Sequence, residues 1–351
     1  MSTNRTIVIN NGSDTSKIGF AGDSIIVCKP SINYPIERGL IKDWNEIEEL
    51  WTNIFNSQLK VNPEDYAVLL TETALNPIEN REKTIEIMFE KMNVSKLFLT
   101  LESVLSLIGS GHTTGVVLDC GHGVTQAVPI FEGHAISDGI SRVELAGADV
   151  NEYLKCMLYE AGFESSLRIA KELKEKLCRV SLDYEKEILK EKYYKLPDGY
   201  RVSIRDNEYK CPELLFKPSL RDIESCGVHK ILLNSIIQSN RLIRSDLYSN
   251  IILSGGTTML HGFSRRIDQE IYLETNNRIN FKIFSLPERK NLTWIGGSIL
   301  ASLSSFNDKL VSKLKYEEFG SNAIMCRNYS SCISNSEIQN IFDSKIDDLS
   351  S

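Results

Sequence analysis

The sequence predicts an α/β protein with two domains or one large two-lobed fold. The chain has 351 residues, which is too long for one simple core. Two strand–turn–strand units with glycine-rich tips occur in different parts of the chain, and such a recurrence indicates an internal duplication. Two further glycine-rich turns, at residues 254–258 and 296–298, are each expected to lead into a helix.

The first strand–turn–strand unit has a β-branched run at residues 6–9 and a polar turn at residues 10–13. The second unit follows a strand at residues 115–118 with a glycine-rich turn at residues 119–123. Because β-branched runs bounded by glycine and small polar residues are typical of hairpins, both units are predicted to be antiparallel strand pairs.

Apolar residues recur at helical spacing in three stretches, residues 76–92, 102–109 and 169–180. Asn76 and Pro77 are expected to cap the first helix, and Gly109 to end the second. Lys174 and Glu175 are placed on the more polar face of the third helix. The residues at 196–199, Leu-Pro-Asp-Gly, predict one more hairpin turn.

The composition is that of an ordinary soluble globular protein, with 42% hydrophobic and 25% charged residues. A net charge of −7 argues against direct binding of nucleic acid. The first residues lack the apolar core of a signal peptide, and no apolar run approaches the ~20 residues of a membrane span. The eight cysteines are scattered and are expected to be free thiols. These features predict a cytosolic or nuclear protein without membrane insertion.

Two facing glycine-rich turns can clamp a polyphosphate, because their backbone N–H groups are exposed without side chains in the way. In that interpretation Lys17 meets a phosphate and Asp119 holds a divalent cation through water. Each feature also has a plain structural explanation. The glycines can simply permit positive φ in hairpins, Lys17 can be solvated, and Asp119 can cap its turn.

The residues near the third glycine turn have the same two interpretations. Residues 254–259 let the backbone approach a nucleoside closely, or they are an ordinary helix start. Lys174 and Glu175 contact a ribose or a base, or they belong to a solvated helix face.

Longer stretches of the chain resemble actin, and they occur in actin's order. They are GFAGD at 19–23, YPIE at 34–37, LLTE at 69–72, NREK at 80–83, VLSL at 104–107, KEKLC at 174–178, residues 253–259, PERK at 287–290 and residues 294–304. The resemblance runs from about Ile7 to Tyr329. It implies the two-lobed fold shared by actin, sugar kinases and heat-shock chaperone ATPases, with ATP or ADP and Mg²⁺ or Ca²⁺ in the central cleft. Actin is favoured among these, because several matching stretches lie outside the phosphate loops that the three families share.

The resemblance also implies how the chain is divided. The first lobe would comprise residues 1–109 and 292–329. The second would comprise residues 110–291, with an inner part at 110–146 and 223–291 and an outer part at 147–222. Residues 330–351 would form a flexible tail. Near residues 31–34 roughly 35 residues of the family are missing, so one outer subdomain, with the loop that inserts into the next filament subunit, would be largely deleted.

The resemblance assigns the nucleotide site to two groups of residues. The phosphate group consists of Gly12, Ser13, Asp14, Lys17, Asp119, Gly121, His122 and Gly123. The ribose and adenine group consists of Gly147, Lys174, Glu175, Gly255, Gly256, Thr257, Met259 and Lys290.

The residues around the reacting phosphate depart from the family's pattern. Asn10 and His122 stand where the family has aspartates, Glu102 where it has a water-positioning glutamine, and Gln126 where it has a histidine. Asp119 would then hold the cation through water, with Glu102 as a second acid. Cation binding would be weaker than in the family. Because phosphoryl transfer depends on positioning and charge stabilisation, hydrolysis should be slower. Alternatively, Glu102 acts as a general base and Gln126 holds the attacking water, which would give a working but altered ATPase.

Asp14 replaces a glycine of the first phosphate loop and brings an acid close to the expected position of the terminal phosphate. The sequence therefore predicts that ADP is preferred over ATP.

Three functions remain open, and whether the protein is an enzyme stays undecided. The first is a cytoskeletal, actin-like nucleotide-binding protein that hydrolyses ATP poorly and does not form ordinary homopolymers. The second is a structural subunit of a larger complex, or a pointed-end cap that uses the groove at Ile108, Leu300 and Leu303, although His134 and Lys309 alter that groove. The third is the altered ATPase. Conventional actin and actin-binding proteins are the expected partners.

Overall fold

The computed structural model of the protein describes residues 5–28, 34–186, 193–195, 199, 201–204 and 207–325. Three expectations lie wholly or mainly outside these residues. They are the shortened segment near 31–34, of which only Tyr34 is described, the turn at 196–198 and the tail at 330–351.

The first part of the chain forms a mixed β-sheet with its helices. Its elements are β1 (Thr6–Asn10), β2 (Ser16–Phe20), β3 (Ile26–Cys28), β4 (Ile36–Glu37), β5 (Leu40–Ile41), α1 (Trp44–Asn53), β6 (Ala67–Glu72), α2 (Ile78–Glu86), β7 (Lys96–Leu101) and α3 (Glu102–Gly109). A π-helical turn follows α1 at Ile54–Leu59, and another follows α2 at Ile87–Lys91.

The second part of the chain forms a second sheet with its own helices. Its elements are β8 (Gly115–Cys120), β9 (Thr125–Phe131), β10 (His134–Ala135), β11 (Ser141–Val143), α4 (Gly147–Glu160), α5 (Leu167–Leu177), β12 (Tyr193–Lys195), β13 (Arg201–Ser203), α6 (Asn207–Glu213), α7 (Val228–Gln238), α8 (Arg244–Ser249), β14 (Ile251–Ser254), α9 (Phe263–Glu274), β15 (Ile283–Phe284) and α10 (Leu292–Ala301). The described chain then returns to the first sheet with β16 (Val311–Ser312), α11 (Lys313–Phe319) and α12 (Asn322–Met325).

The two sheets repeat one topology. The first has the strand order β16-β7-β6-β1-β2-β3, and the second has the order β10-β9-β8-β14-β15, with β11 also pairing with β9. In the first, the antiparallel hairpin β1–β2 is followed by the parallel strands β6 and β7 and then by α3. In the second, the hairpin β8–β9 is followed by the parallel strands β14 and β15 and then by α10. Both predicted hairpins are present, and the repetition agrees with an internal duplication.

The core lies in three layers, which explains why the inner strands are apolar throughout. On β1, Ile7 and Ile9 point into a cluster on the outer face of the first sheet. Val8 points the other way, into a cluster between the two sheets that also holds Val117 and Ile252 of the second sheet. Successive strand residues face opposite sides of a sheet, so a strand covered on both faces needs apolar residues at every position.

The two sheets are joined through α3 and α10, which cross in close contact. A Cβ at Gly296 would lie 1.8 Å from the carbonyl oxygen of Leu105, and one at Gly109 would lie 2.6 Å from that of Leu292. Glycine is therefore required here because the two backbones touch. The prediction that residues 296–298 form a turn leading into a helix is wrong, since they lie inside α10.

Of two other local predictions, the cap at Asn76 is wrong and the hairpin at 196–199 is only partly within the described residues. Asn76 does not cap α2, because its amide donates a 3.0 Å hydrogen bond to Glu72 Oε2 and the helix begins only at Ile78. Strands β12 and β13 pair as expected for the arms of a hairpin around 196–199, with Lys195 opposite Arg201.

The first sheet draws its strands from residues 6–101 and 311–312, and the second draws its strands from residues 115–284. The lobe boundaries given above remain a prediction. Within the described part of the chain, no helix is both long enough and apolar enough to cross a membrane.

Candidate functional site

A cavity of about 470 Å³ opens where the tips of the two hairpins face each other. The first tip (residues 11–15) joins β1 to β2, and the second tip (residues 121–124) joins β8 to β9. Residues 254–261 after β14 and one face of α5 complete the walls. This size is within the usual range of small-molecule sites.

Most of the residues predicted for the site line this cavity. They are Gly12, Ser13, Asp14, Lys17, Glu102, Asp119, Gly121, His122, Gly123, Lys174, Glu175, Gly255, Gly256, Thr257, Met259 and Lys290. Two predicted residues, Gly147 and Gln126, are not among the lining residues. What each residue does with a ligand stays a prediction.

Several lining residues were missed from the sequence. Those with polar or charged side chains include Thr15, Thr73, Lys171, Lys176, Arg179, His261 and Thr293. Lys171 could have been found, because it lies three residues before Lys174 on α5 and so shares its face of the helix. For Thr73 and Thr293 no sequence signal exists, since chain folding alone brings them to the wall.

At the end of β1, Asn10 and Glu102 form a hydrogen-bonded pair. The amide of Asn10 donates to Glu102 Oε1 at 2.9 Å and to the hydroxyl oxygen of Thr71, at the end of the neighbouring β6, at 3.0 Å. Burial, reinforced by the nearby Asp119 carboxylate, raises the pKa of Glu102 to about 8, against the opposing effects of Lys17 and Asn10. A carboxylate beside the cavity is thus held in place by an amide, in surroundings that disfavour its charge.

At the end of β8, Asp119 has an equivalent position. The hydroxyl of Ser254, at the end of the neighbouring β14, donates to Asp119 Oδ2 at 2.7 Å. Burial raises the pKa of Asp119 and lowers the pKa of Lys17, whose ammonium group lies close to both acids. Asp119 and Glu102 are therefore two buried acids that share one nearby ammonium group.

These two acids are a suitable, although small, anchor for a divalent cation. Within the described residues, no group of three or more His, Cys, Asp and Glu side chains is placed to hold a metal ion. Mg²⁺ commonly keeps several waters and needs only one or two carboxylates. The raised pKa values of both acids indicate unfavourable negative charge that a cation would relieve.

The glycines of the site serve two different purposes. A Cβ at Gly255 would lie 2.3 Å from the carbonyl oxygen of Cys120, and one at Gly123 would lie 2.7 Å from Ser13 Oγ, so packing demands glycine there. At Gly256 the nearest atom to such a Cβ is Lys290 Cγ at 4.0 Å, and at Gly121 it is Val124 O at 3.7 Å. Protein packing does not require glycine at these two positions, and its small size keeps cavity space open.

Lys174 is buried, so the second of its two interpretations, a solvated helix face, is wrong for this residue. Its ammonium group donates to the carbonyl oxygen of Gly147 at 3.1 Å, and burial lowers its pKa. Gly147 lies behind the second tip, where its N–H donates to the Gly121 carbonyl at 3.1 Å. A Cβ at Gly147 would lie 2.5 Å from Thr257 Oγ1. The structure therefore gives Gly147 a supporting position rather than a place in the wall.

Gln126 also lies behind the wall. Its side chain is buried, and its Oε1 accepts the N–H of Ala74 at 3.0 Å. His122 lies at the wall, but burial lowers its pKa to about 4, so its imidazole is neutral at pH 7.

Two ion pairs join hairpin turns of the first part of the chain to helices of the second part. Lys171 on α5 contacts Asp14 at 2.5 Å, and both oxygens of Asp14 accept from its ammonium group. Arg38 donates to both oxygens of Asp149 on α4, at 2.6 and 2.8 Å, and also to the carbonyl of Gly123. Asp14 and Lys171 line the cavity, whereas Arg38 and Asp149 do not.

The cavity wall carries more positive than negative charge. Six of its lining side chains are cationic (Lys17, Lys171, Lys174, Lys176, Arg179 and Lys290) and four are acidic (Asp14, Glu102, Asp119 and Glu175). The whole chain has a net charge of −7, so this local excess of cations is the reverse of the average. The site suits an anionic ligand accompanied by a cation.

A comparison with protein families gives a match over most of the chain. The family model described as Actin matches residues 27–166 and 163–329. The matched segments include the second hairpin tip, α5 and the residues after β14, and they begin after the first tip.

Proposed function

The chain belongs to the actin family, and from that premise we propose that it binds ATP or ADP in the cavity between the two hairpin tips. We further propose that it hydrolyses ATP weakly and does not form ordinary homopolymers. Within this proposal it is a cytoplasmic, actin-like component of the cytoskeleton, with a nuclear location still open.

The observation that carries the proposal is the cavity itself. Two glycine-containing tips from the repeated halves face each other across about 470 Å³. Backbone N–H groups of such tips bind phosphate oxygens well, and the surrounding lysines supply the opposite charge. Gly121 and Gly256 leave space that no protein atom fills.

The residues present fit a nucleotide with a divalent cation. The phosphates would be held by the two tips and Lys17, and the nucleoside by Lys174, Glu175, the turn at residues 255–259 and Lys290. The cation would be anchored through water by Asp119, with Glu102 as the second acid. When bound, the cation supplies charge neutralisation of the phosphates.

Weak hydrolysis is supported by the arrangement at the end of β1. One oxygen of Glu102 already accepts from Asn10, and the amide oxygen of Gln126 is engaged by Ala74 behind the wall. Gln126 therefore does not line the cavity, and Asn10 fixes the orientation of the Glu102 carboxyl group. Poor positioning is costly in phosphoryl transfer, because the protein contributes mainly geometry and charge.

One observation favours a second candidate, an ATPase with rearranged catalytic groups. Glu102 lines the cavity, and its pKa is about 8. A general base is most effective when its pKa lies near the pH of the reaction, and about 8 is close to neutral pH. In this alternative, Glu102 takes a proton from the attacking water.

The proposal that homopolymers do not form rests on the length of one connection. Only the seven residues 29–35 separate β3 from β4, which is too short for the additional subdomain that the family carries there. A structural role in a larger complex, or at the end of a conventional actin filament, remains compatible with this. The partners would then be actin or actin-binding proteins.

The test is the nucleotide content of the purified full-length protein, with magnesium kept throughout. We expect about one adenine nucleotide per chain, released by denaturation and identified by chromatography. The matched variant is Gly256→Leu at the cavity wall, whose Cβ would have Lys290 Cγ at 4.0 Å as its nearest neighbour. We expect it to fold with an unchanged unfolding midpoint in nucleotide-free buffer and to lose the nucleotide. A folded wild-type protein that neither contains nor takes up adenine nucleotide would disprove the proposal.

The same preparation separates the two candidates. If hydrolysis is weak, phosphate release from ATP is slow and unchanged in Glu102→Gln. If Glu102 is a general base, the substitution slows release by about 100-fold or more.

Sedimentation of the wild-type protein in magnesium and salt should leave it in the supernatant, and pelleted filaments would contradict the proposal that homopolymers do not form.

A further inference from the structure

The ion pair between Asp14 and Lys171 lies inside the proposed phosphate site. Asp14 is in the first hairpin tip, and Lys171 is on α5, on the opposite wall of the cavity. Both oxygens of the carboxylate accept from the ammonium group, at 2.5 and 2.6 Å. Their side chains are only 21% and 25% exposed, so the pair is shielded from much of the solvent.

The carboxylate of Asp14 also lies close to both hairpin tips. Burial lowers the pKa of Lys17 on the return strand of the first hairpin and the pKa of His122 in the second tip, and the charge of Asp14 opposes both shifts. Both effects of Asp14 are Coulombic and weaken with distance. The negative charge of Asp14 thus lies between the two tips, where a phosphate chain would extend.

We infer that the Asp14–Lys171 ion pair determines the phosphate number of the ligand, because its carboxylate occupies the space of a third phosphate and neutralises the cation that would bind that phosphate. The inference rests on the proposed function. A nucleoside diphosphate leaves the Asp14–Lys171 pair intact. A triphosphate must displace the carboxylate from Lys171, and its terminal phosphate then approaches an acid.

The same geometry gives Lys171 two mutually exclusive partners. While Asp14 is present, its carboxylate neutralises the ammonium group. Once the acid is removed, the ammonium group is left beside the phosphate space and can pair with a terminal phosphate. Loss of Asp14 should therefore remove the repulsion between its carboxylate and the terminal phosphate. It should also free the ammonium group of Lys171 to bind that phosphate, and this second gain in affinity requires Lys171.

A double-mutant cycle tests the inference. The dissociation constants of magnesium ADP and magnesium ATP are measured by calorimetry for wild type, Asp14→Gly, Lys171→Met and the double variant. The quantity of interest is the ratio of the two constants within one variant. A general loss of folding or of cleft shape affects both nucleotides and cancels in the ratio.

We expect the wild type to bind ADP at least tenfold more tightly than ATP. Asp14→Gly should shift the ratio at least tenfold towards ATP. Lys171→Met should leave the preference for ADP or increase it, because it removes the cation that neutralises the Asp14 carboxylate at the phosphate space. In the double variant the shift should be several-fold smaller than in Asp14→Gly, because the freed cation is missing.

The matched control is Asp149→Asn, which weakens the other ion pair across the cleft without changing the cavity wall. It should change both affinities together and keep their ratio within about twofold. A wild-type protein that binds the two nucleotides equally, or an Asp14→Gly ratio within twofold of wild type, overturns the inference and leaves nucleotide binding standing. Absence of binding of either nucleotide to the folded wild type overturns both.

Discussion

The two halves of the molecule have the same topology but place charge differently. In each half the innermost strand ends beside the cavity, and its last polar side chain is hydrogen-bonded to a hydroxyl on the neighbouring parallel strand. In the first half Asn10 donates to Thr71, and in the second Ser254 donates to Asp119. The two strand ends are equivalent in the fold, yet β1 ends with the amide of Asn10 and β8 carries the carboxyl group of Asp119.

The residues paired with these two positions differ as well. Lys17 lies opposite Asn10 in the first hairpin, and Gln126 lies opposite Asp119 in the second. Lys17 lines the cavity, whereas Gln126 is turned into the protein and bonds to Ala74. Equivalent positions in a repeated fold can thus serve ligand contact in one half and packing in the other. The fold provides the positions, and the sequence decides where the charge lies.

The first half regains its missing acid from another element. Glu102 begins α3, and Asn10 holds it at the cavity. The counterpart helix α10 offers Thr293 at the wall instead of an acid. The resemblance to actin implies an aspartate at position 10 and a glutamine at position 102, and in that interpretation the amide and the carboxyl group have exchanged places between β1 and α3.

The largest effect is expected where the halves join. Gly296→Ala would place a methyl group against the carbonyl oxygen of Leu105, only 1.8 Å away before any adjustment. Because the obstacle is backbone, α3 and α10 must separate, and we expect a loss of about 3 kcal/mol or more in the free energy of unfolding. Denaturant titration of the nucleotide-free protein measures it.

The adjacent Gly297→Ala is the matched control. The nearest neighbours of its Cβ are side-chain atoms, Val8 Cγ1 at 2.8 Å and Leu105 Cδ1 at 3.3 Å. Side chains can shift, so its cost should be clearly smaller, about 1 to 2 kcal/mol. Equal costs for the two variants would mean that the helix crossing does not depend on backbone contact at Gly296.

A smaller effect is expected from making the two strand ends alike. At pH 9, above the pKa of about 8 that burial gives Glu102, Asn10→Asp would place a second charged carboxylate within hydrogen-bonding distance of Glu102, and like charges at that separation repel. We expect the cation-free protein to lose about 2 kcal/mol of unfolding free energy and to recover it when magnesium or calcium is added. Denaturant titrations with and without the cation measure the difference.

Two further variants show whether the charge is the cause. The double variant Asn10→Asp with Glu102→Gln restores one acid and one amide, so most of the loss should disappear. Asp119→Asn should leave the cation-free protein as stable or more stable, because the burial that raises the pKa of Asp119 also disfavours its charge. It should weaken cation-dependent nucleotide binding 10- to 100-fold. An Asn10→Asp loss that persists in the double variant would contradict this account.

Local sequence patterns were sufficient for both hairpins and for three helical stretches, and the resemblance assigned most residues of the cavity wall. The β-branched runs and glycine-rich tips identified both hairpins, because these features depend on neighbouring residues alone. The resemblance then supplied the residues around the ribose and adenine positions. Sixteen of the eighteen predicted site residues line the cavity, and the other two, Gly147 and Gln126, lie directly behind it.

Two of the differences have the same physical cause, which is contact between distant parts of the chain. The polar side of its helix leaves Lys174 two interpretations, and the solvated one fails because Gly147 accepts a hydrogen bond from its ammonium group inside the protein. Gly296 seemed to belong to a turn because glycine usually does, but it permits a helix crossing with Leu105. The partner of Asp14, 157 residues away, could not be read from local spacing.

The smallest expected effect concerns the hairpin between β4 and β5 in the first half. Its two-residue turn has φ of 49° at Arg38 and 76° at Gly39, as in a type I′ turn, and the first value is costly for a side chain larger than asparagine. Arg38 offsets that cost by pairing with Asp149, whose Oδ2 also accepts the N–H of Ala146. The two side chains are 30% and 15% exposed, so water weakens the pair and we expect a coupling energy of only about 1 kcal/mol. Unfolding titrations of wild type, Arg38→Met, Asp149→Asn and the double variant measure it. A coupling energy of zero would mean that the ion pair does not stabilise the hairpin tip. The turn itself and the hydrogen bond from Arg38 to the Gly123 carbonyl would then hold the tip against the second half.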